Sequence, residues 1–208
     1  MRRLRLLYTK SGNSCWMSHL DVMRMFQRAF VRAGIDARHT EGFNPHLYLS
    51  IAQPLPVGME SECELLDFES AADDLGGVAS RLNRSLPEGM RAIKCYEPQS
   101  LFKNIAFADW RVAWTCENEG SRLNALFASD TILVMKKTKE GPREQNIAPL
   151  IRSVKIEQAG PLCVCRAVLA CGGVILNPSY LTAAAFADAV QTRYLRTAFL
   201  DAEGRRFE

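Results

Sequence analysis

The chain has 208 residues, 48% hydrophobic and 24% charged, with a net charge of +3. That is the make-up of an ordinary globular protein of one large or two small domains, and it excludes a chain whose global field alone would gather nucleic acid. There is no apolar run of about 18 residues, so no membrane span is expected; the arginine-bearing N-terminus lacks the apolar stretch of a secretory leader.

Seven scattered cysteines, an odd number, fit the reduced thiols of a cytoplasmic protein. Cys163 and Cys165 would face one side of a strand, with no second pair to complete a zinc site. Basic residues gather at both ends: Arg2, Arg3 and Arg5, then Arg193, Arg196, Arg205 and Arg206. Such charge runs read as solvated termini.

Leu4–Thr9 carries a strand pattern, and Gly12-Asn13 a turn. Ser18 then caps a helix, with Asp21 three positions on, close to the capping-box pattern. Val22, Met25, Phe26, Ala29 and Ala33 form its apolar stripe, and Gly34 ends it. Ile35–His39 reads as a short strand, Glu41–Pro45 as a loop, Leu47–Ala52 as a strand and Pro54–Gly58 as a stiff loop. Cys63–Phe68 is a strand, Ala71–Ser85 a helix, and Met90–Tyr96 a strand.

This order is close to the split βαβ unit of ferredoxin-like folds. Phe102–Asp109 is the expected boundary, with a first domain over residues 1–100 and a second over 109–208. In the second half, strands are expected at Trp110–Thr115, Thr131–Lys137, Ser153–Gln158 and Leu162–Ala170. Helices are expected at Gly120–Ser129 and Pro178–Val190, a helical turn at Asn146–Ile151, and a polar turn at Glu140–Glu144. The expected fold class is therefore α+β, with two ferredoxin-like units in tandem.

All three histidines fall within the first 46 residues, and histidine is the side chain whose ordinary pKa lies near physiological pH. His19 sits at the helix start, where unpaired backbone N–H groups favour an anion. Beside a bound phosphate it could serve as acid or base. Arg24, Arg28 and Arg32 are four apart and lie along one side of the helix. They read either as a solvated face or as a ladder for phosphates, which arginine grips bidentately.

Gly42-Phe43-Asn44-Pro45 is a conformationally restricted loop that would fix His46. Phe43 reads either as a core anchor or as a stacking partner for an unpaired base. His39, on its short strand, reads as structural. Glu60, Glu62 and Glu64 would share one strand face. They read as a polar outer face or, with His19 or His46, as a hard metal site.

Ser18-His19-Leu20-Asp21, Arg24, Arg28, Arg32, Gly42-Phe43-Asn44-Pro45-His46, Pro54-Leu55-Pro56-Val57-Gly58, Ser61 and Glu64 together resemble the radical-SAM-linked protein family. That bacterial domain of unknown function is typically fused to, or encoded beside, a radical SAM protein with a cobalamin-binding-type domain. The similarity is specific over about residues 3–68, and Arg152 and Asn177-Pro178 extend it less distinctively. Leu47 stands where a proline commonly follows the histidine, and Cys15-Trp16 replaces a basic-aromatic pair. The resemblance implies a free-standing form with no cofactor of its own, S-adenosylmethionine and an iron–sulfur cluster belonging to the partner. It supplies no catalytic residue. A fainter, fold-level similarity is to the repeat-associated CRISPR endoribonucleases.

The expectation is an accessory RNA-binding module acting with a radical SAM enzyme on tRNA or rRNA. Arg24, Arg28 and Arg32 would meet phosphates, Phe43 and Asn44 the bases, and His19 and His46 would line the pocket. The alternatives are a metal-independent ribonuclease or other phosphate-centred enzyme using His19 and His46, and a protein-interaction subunit of a radical SAM complex.

Overall fold

A computed structural model of the chain describes residues 1–138 and 141–208. It falls into two compact units, Met1–Phe102 with Glu208, and Lys103–Phe207. Each mixes helices with antiparallel sheet. Among the described residues no helix is long and apolar enough to cross a membrane.

The first unit runs β1 (Arg2–Lys10), α1 (His19–Arg32), β2 (Leu49–Ile51), β3 (Glu60–Ser70), α2 (Leu75–Asn83) and β4 (Met90–Tyr96). Strand β1 lies between β4 and β3. Both β1 and β2 pair with Leu66–Phe68 of β3, so they flank it on opposite edges. The alternation of β1 sends Leu4, Leu6 and Tyr8 inward, where they meet Leu66 and Phe68. Val22, Phe26, Ala29 and Phe30 of α1 cover this face, together with Val78 and Leu82 of α2. Two edge-on ring pairs lock α1 down: Tyr8 with Phe26 at 4.8 Å and Phe30 with Phe68 at 4.9 Å.

Helix α1 starts and stops as its sequence dictates. The Ser18 side chain accepts from the Asp21 N–H, and the Asp21 carboxylate accepts from the Ser18 N–H. Gly34 takes the left-handed conformation beyond the C-terminus, at φ +61°. Elsewhere the sequence overstates regularity. The strand expected at Ile35–His39 is reduced to one bridge, His39 to Leu47, and β2 keeps only Leu49–Ile51 of the expected Leu47–Ala52. Gly42, at φ +125°, and Pro45, which has no N–H, prevent a longer ladder. Helix α2 begins at Leu75, capped by Asp74, four residues later than expected.

The second unit runs β5 (Phe107–Thr115), α3 (Gly120–Phe127), a hairpin of β6 (Leu133–Thr138) and β7 (Gly141–Asn146), β8 (Ile151–Ala159), β9 (Leu162–Ala170), α4 (Ser179–Ala185) and β10 (Thr192–Leu200). Its sheet order is β10-β5-β9-β8, and the β6–β7 hairpin stands as a separate two-stranded sheet. Trp114 anchors the core: its ring stacks on Phe127 at 6.4 Å and its Nε1 donates to Thr182 Oγ1 at 2.8 Å. Cys163 and Cys165 share the buried face of β9.

Three expectations fail in this unit. Residues 141–144 belong to β7 rather than to a polar turn, and Glu140 lies outside the described residues. The last helix ends at Ala185, because Phe186 is already extended at φ −136°, ψ 132°. Beyond it lies β10, which the basic composition concealed. Arg196 is not a solvated terminal charge: it is 2% exposed, with its guanidinium 4.4 Å from the centre of the Phe199 ring. Arg5 is likewise buried, against Asp67.

Candidate functional site

The arginine row of α1 does not face open solvent alone. Arg24, Arg28 and Arg32 line a hollow of about 620 Å³ with Met17, Asp21, Met25, Arg84, Ser85, Leu86 and Pro87. Helical spacing supplies one wall, since every fourth residue recurs on one side. The connection from α2 to β4 supplies the other and brings in Arg84. Sequence reading missed Arg84 because no periodicity ties an arginine at the end of α2 to α1.

Four arginines and one acidic residue, Asp21, therefore line the hollow. That carboxylate is ionised at neutral pH. The Ser18 hydroxyl and backbone N–H bond it and hold Asp21 below the usual carboxylate range, with Arg24, 3.8 Å away, helping. The hollow is thus a cationic cup with apolar side walls of Met17, Met25, Leu86 and Pro87. Chemically it suits a polyanion with some apolar surface. The helix start is a weaker anion site than expected, because the capping box closes the Ser18 and Asp21 N–H groups on each other's side chains.

His19 is exposed and lines a different, far smaller hollow of about 10 Å³, with Tyr8, Lys10, Val22, Ile51, Pro54, Leu55 and Glu64. That space holds about one water. Lys10 is 2% exposed and Glu64 1%. Lys10 Nζ donates to Met17 O at 2.7 Å, tying the end of β1 to the residue before the α1 cap. Sequence reading missed Lys10 and Tyr8, although the inward phase of Leu4, Leu6 and Tyr8 carried that signal.

The three carboxylates of β3 do not share a face. The register against β1 shifts between Tyr8, opposite Glu64, and Lys10, opposite Ser61. This bulge leaves Glu62 exposed and Glu64 buried, so the polar-outer-face expectation fails for Glu64. Ser61 is buried too, and its Oγ accepts from the Cys63 N–H at 3.2 Å. Among the described residues no group of three His, Cys, Asp or Glu side chains is placed to hold a metal ion.

His46 lines neither hollow. It closes its own loop: the Thr40 N–H donates to His46 O at 2.8 Å, and the His46 N–H donates to Thr40 Oγ1 at 3.1 Å. Its Nδ1 lies 3.2 Å from both Thr40 Oγ1 and Asn44 O. Phe43 stands at the tip of this tied loop and is 105% exposed, which overturns the core-anchor reading. His39 is exposed beside the same loop. In the following loop Leu55 is buried between exposed Pro54 and half-buried Pro56, and Gly58 adopts φ +83°.

In the second unit Arg152 is structural. It donates to Ala202 O and Glu203 O at 3.0 and 3.1 Å and lies over the Phe107 ring. The cysteines are free thiols. Burial pushes Cys163 up to about 11 and Cys165 to about 12, so both are protonated at neutral pH.

Among known structures, a chain in the crystal structure of a Cbf5-Nop10-Gar1 complex matches with a TM-score of 0.52 at 7% identity. The match covers 94% of this chain and 48% of that one, so this chain spans about half the length of the solved chain. At that identity the likeness is one of fold. An unknown protein from Galdieria sulphuraria aligns with a TM-score of 0.28 at 10% identity, over 94% of this chain and 98% of its own. No curated protein matches the sequence. Residues 3–178 match the model of a family described as an uncharacterized protein conserved in bacteria, and the chain belongs to that family, DUF2344.

Proposed function

We propose that this chain is an RNA-binding module that works beside a radical SAM enzyme in tRNA or rRNA modification. The observation that supports it best is the hollow in which Arg24, Arg28, Arg32 and Arg84 converge. Guanidiniums grip phosphate oxygens in pairs of parallel hydrogen bonds. A helical row gives them a regular spacing of about 6 Å along the axis. Phe43 and Asn44, on the tied loop, are held out to meet bases.

Each unit reads as a ferredoxin-like split βαβ fold, the two in tandem. In the first the order is β4-β1-β3-β2; in the second β10-β5-β9-β8, with the β6–β7 hairpin as an insertion. The radical SAM partner rests on the likeness of the Ser18–Asp21 and Gly42–His46 motifs. In that reading S-adenosylmethionine and the iron–sulfur cluster belong to the partner, and the free thiols fit a cytoplasmic setting. The ribonuclease reading asks His19 and His46 to share a substrate-sized hollow. Among the described residues the hollow that takes His19 is far too small, and His46 lines neither.

Filter binding of total tRNA at several salt concentrations tests the proposal. Affinity should fall steeply with salt, because phosphate contacts release counterions, and the triple variant Arg24→Ala/Arg28→Ala/Arg32→Ala should lose most of that dependence. Binding that ignores salt, or none at low salt, overturns it.

A further inference from the structure

Of the three tryptophans, Trp110 and Trp114 are 4% and 0% exposed, whereas Trp16 is 69% exposed. Its backbone is unusually well fixed for so exposed an aromatic. Trp16 closes the short 3-10 turn Gly12–Trp16. The Gly58 N–H donates to Cys15 O on one side of it, and the Met17 N–H donates to Ser14 O on the other. Lys10 Nζ holds Met17 O, and Ser14 Oγ donates to Glu88 O at 2.6 Å.

The ring is fixed as well. A Cβ built on Gly58 would lie 3.2 Å from Trp16 Cζ3, so the indole rests on the bare glycine backbone. Gly58 itself sits at φ +83°, a conformation side chains rarely adopt. Val57, which precedes Gly58 in the chain, is 54% exposed. The next residue in the chain, Met17, is already a wall of the arginine hollow.

Resting on the RNA-binding reading, we infer that Trp16 is a stacking platform for an unpaired nucleobase, and that the ligand of this surface is single-stranded RNA. Base stacking on an aromatic ring needs an open face and a ring that need not be ordered on binding. Trp16 has both. The adjoining cationic hollow selects a nucleic acid over an apolar protein segment as occupant. A paired base keeps its face against its neighbours and cannot use the platform, so duplex RNA gains only the arginine contacts.

The test uses the full-length protein with short oligoadenylate, short oligouridylate and an RNA duplex as probes. Because the other two tryptophans are buried and shielded from ligand, a change in intrinsic fluorescence on binding reports Trp16. It should be quenched by the single strands and little changed by the duplex. Trp16→Ala should weaken single-strand binding by about 5- to 150-fold while leaving the salt slope and duplex binding unchanged. Trp16→Phe keeps an aromatic face and should retain most of the affinity; it also separates stacking from a folding defect, as does an unaltered circular dichroism spectrum. Salt-dependent RNA binding with no fluorescence response, or with equal affinity for duplex and single strand, overturns the platform and leaves the arginine reading standing. Failure to bind any RNA overturns both, and saturable binding of a protein partner that Trp16→Ala abolishes assigns the surface to protein docking instead.

Discussion

Replacing Arg84 by alanine tests whether the hollow works as one site, because Arg84 reaches it from the end of α2 while the other three arginines come from α1. Four guanidiniums on phosphates would give the logarithm of the binding constant a slope of about −2.8 against the logarithm of salt concentration on a single strand. Between about 50 and 200 mM salt, affinity then falls about 50-fold. Removing one arginine takes about 0.7 from the slope, so Arg84→Ala and Arg28→Ala should each show about −2.1 and lose about 20-fold over that range. Arg143, exposed on β7 of the second unit, is the control, and Arg143→Ala should keep the full slope. Fluorescence anisotropy of a labelled oligonucleotide at five potassium chloride concentrations reads all four proteins. A slope for Arg84→Ala that matches the unaltered protein, with a shallower one for Arg143→Ala, would refute the shared hollow.

Other outcomes follow from the interior. Asp67→Ala strips a carboxylate from Arg5, which is 0% exposed and bound to it through Nε at 2.7 Å and Nη2 at 2.9 Å. Leaving that guanidinium buried without its counter-charge should cost about 3–5 kcal/mol in urea unfolding, and a loss below 1 kcal/mol would sink the account. Phe30→Ala should cost about 3–5 kcal/mol, whereas Phe43→Ala should change stability by less than about 0.5 kcal/mol, since Phe43 has no burial to lose; thermal melts compare the two. Ser18→Ala should destabilise by about 1 kcal/mol near neutral pH. The Asp21 carboxyl is more acidic in the folded chain than in the unfolded one, so its contribution is present above the ordinary carboxylate pKa and lost as pH falls through its depressed folded value. The stability gap between the unaltered protein and Asp21→Asn should accordingly close on acidification; a gap that widens would contradict this.

The elements read best from sequence were those fixed by neighbours a few residues away. Helix α1 carries its own start in Ser18 and Asp21 and its own stop in Gly34. Strand β1 alternates, β9 alternates, and both stand where the pattern puts them. Strand β10 was hidden because Arg193 and Arg196 look solvated. Aromatic cover from Trp110 and Phe199 helps make a buried guanidinium tolerable there, and that cover comes from residues distant in sequence or unreadable as a lid. The bulge in β3 was hidden for a similar reason. Period-two reasoning assumes an unbroken ladder, and an extra residue opposite Thr9 turns Glu64 inward and leaves Glu62 outside.

Local chemistry was therefore enough to place α1, β1 and β9, to cap α1 at Ser18, and to put Arg24, Arg28 and Arg32 on one side. Those properties follow from backbone hydrogen bonding and from side-chain periods of two and 3.6 residues. It could not decide what faces the arginine row, that Phe43 points outward, or that Trp16 lies on Gly58. Each of these depends on two stretches of chain meeting after the first unit's helices have covered its sheet, and no sequence period spans that distance.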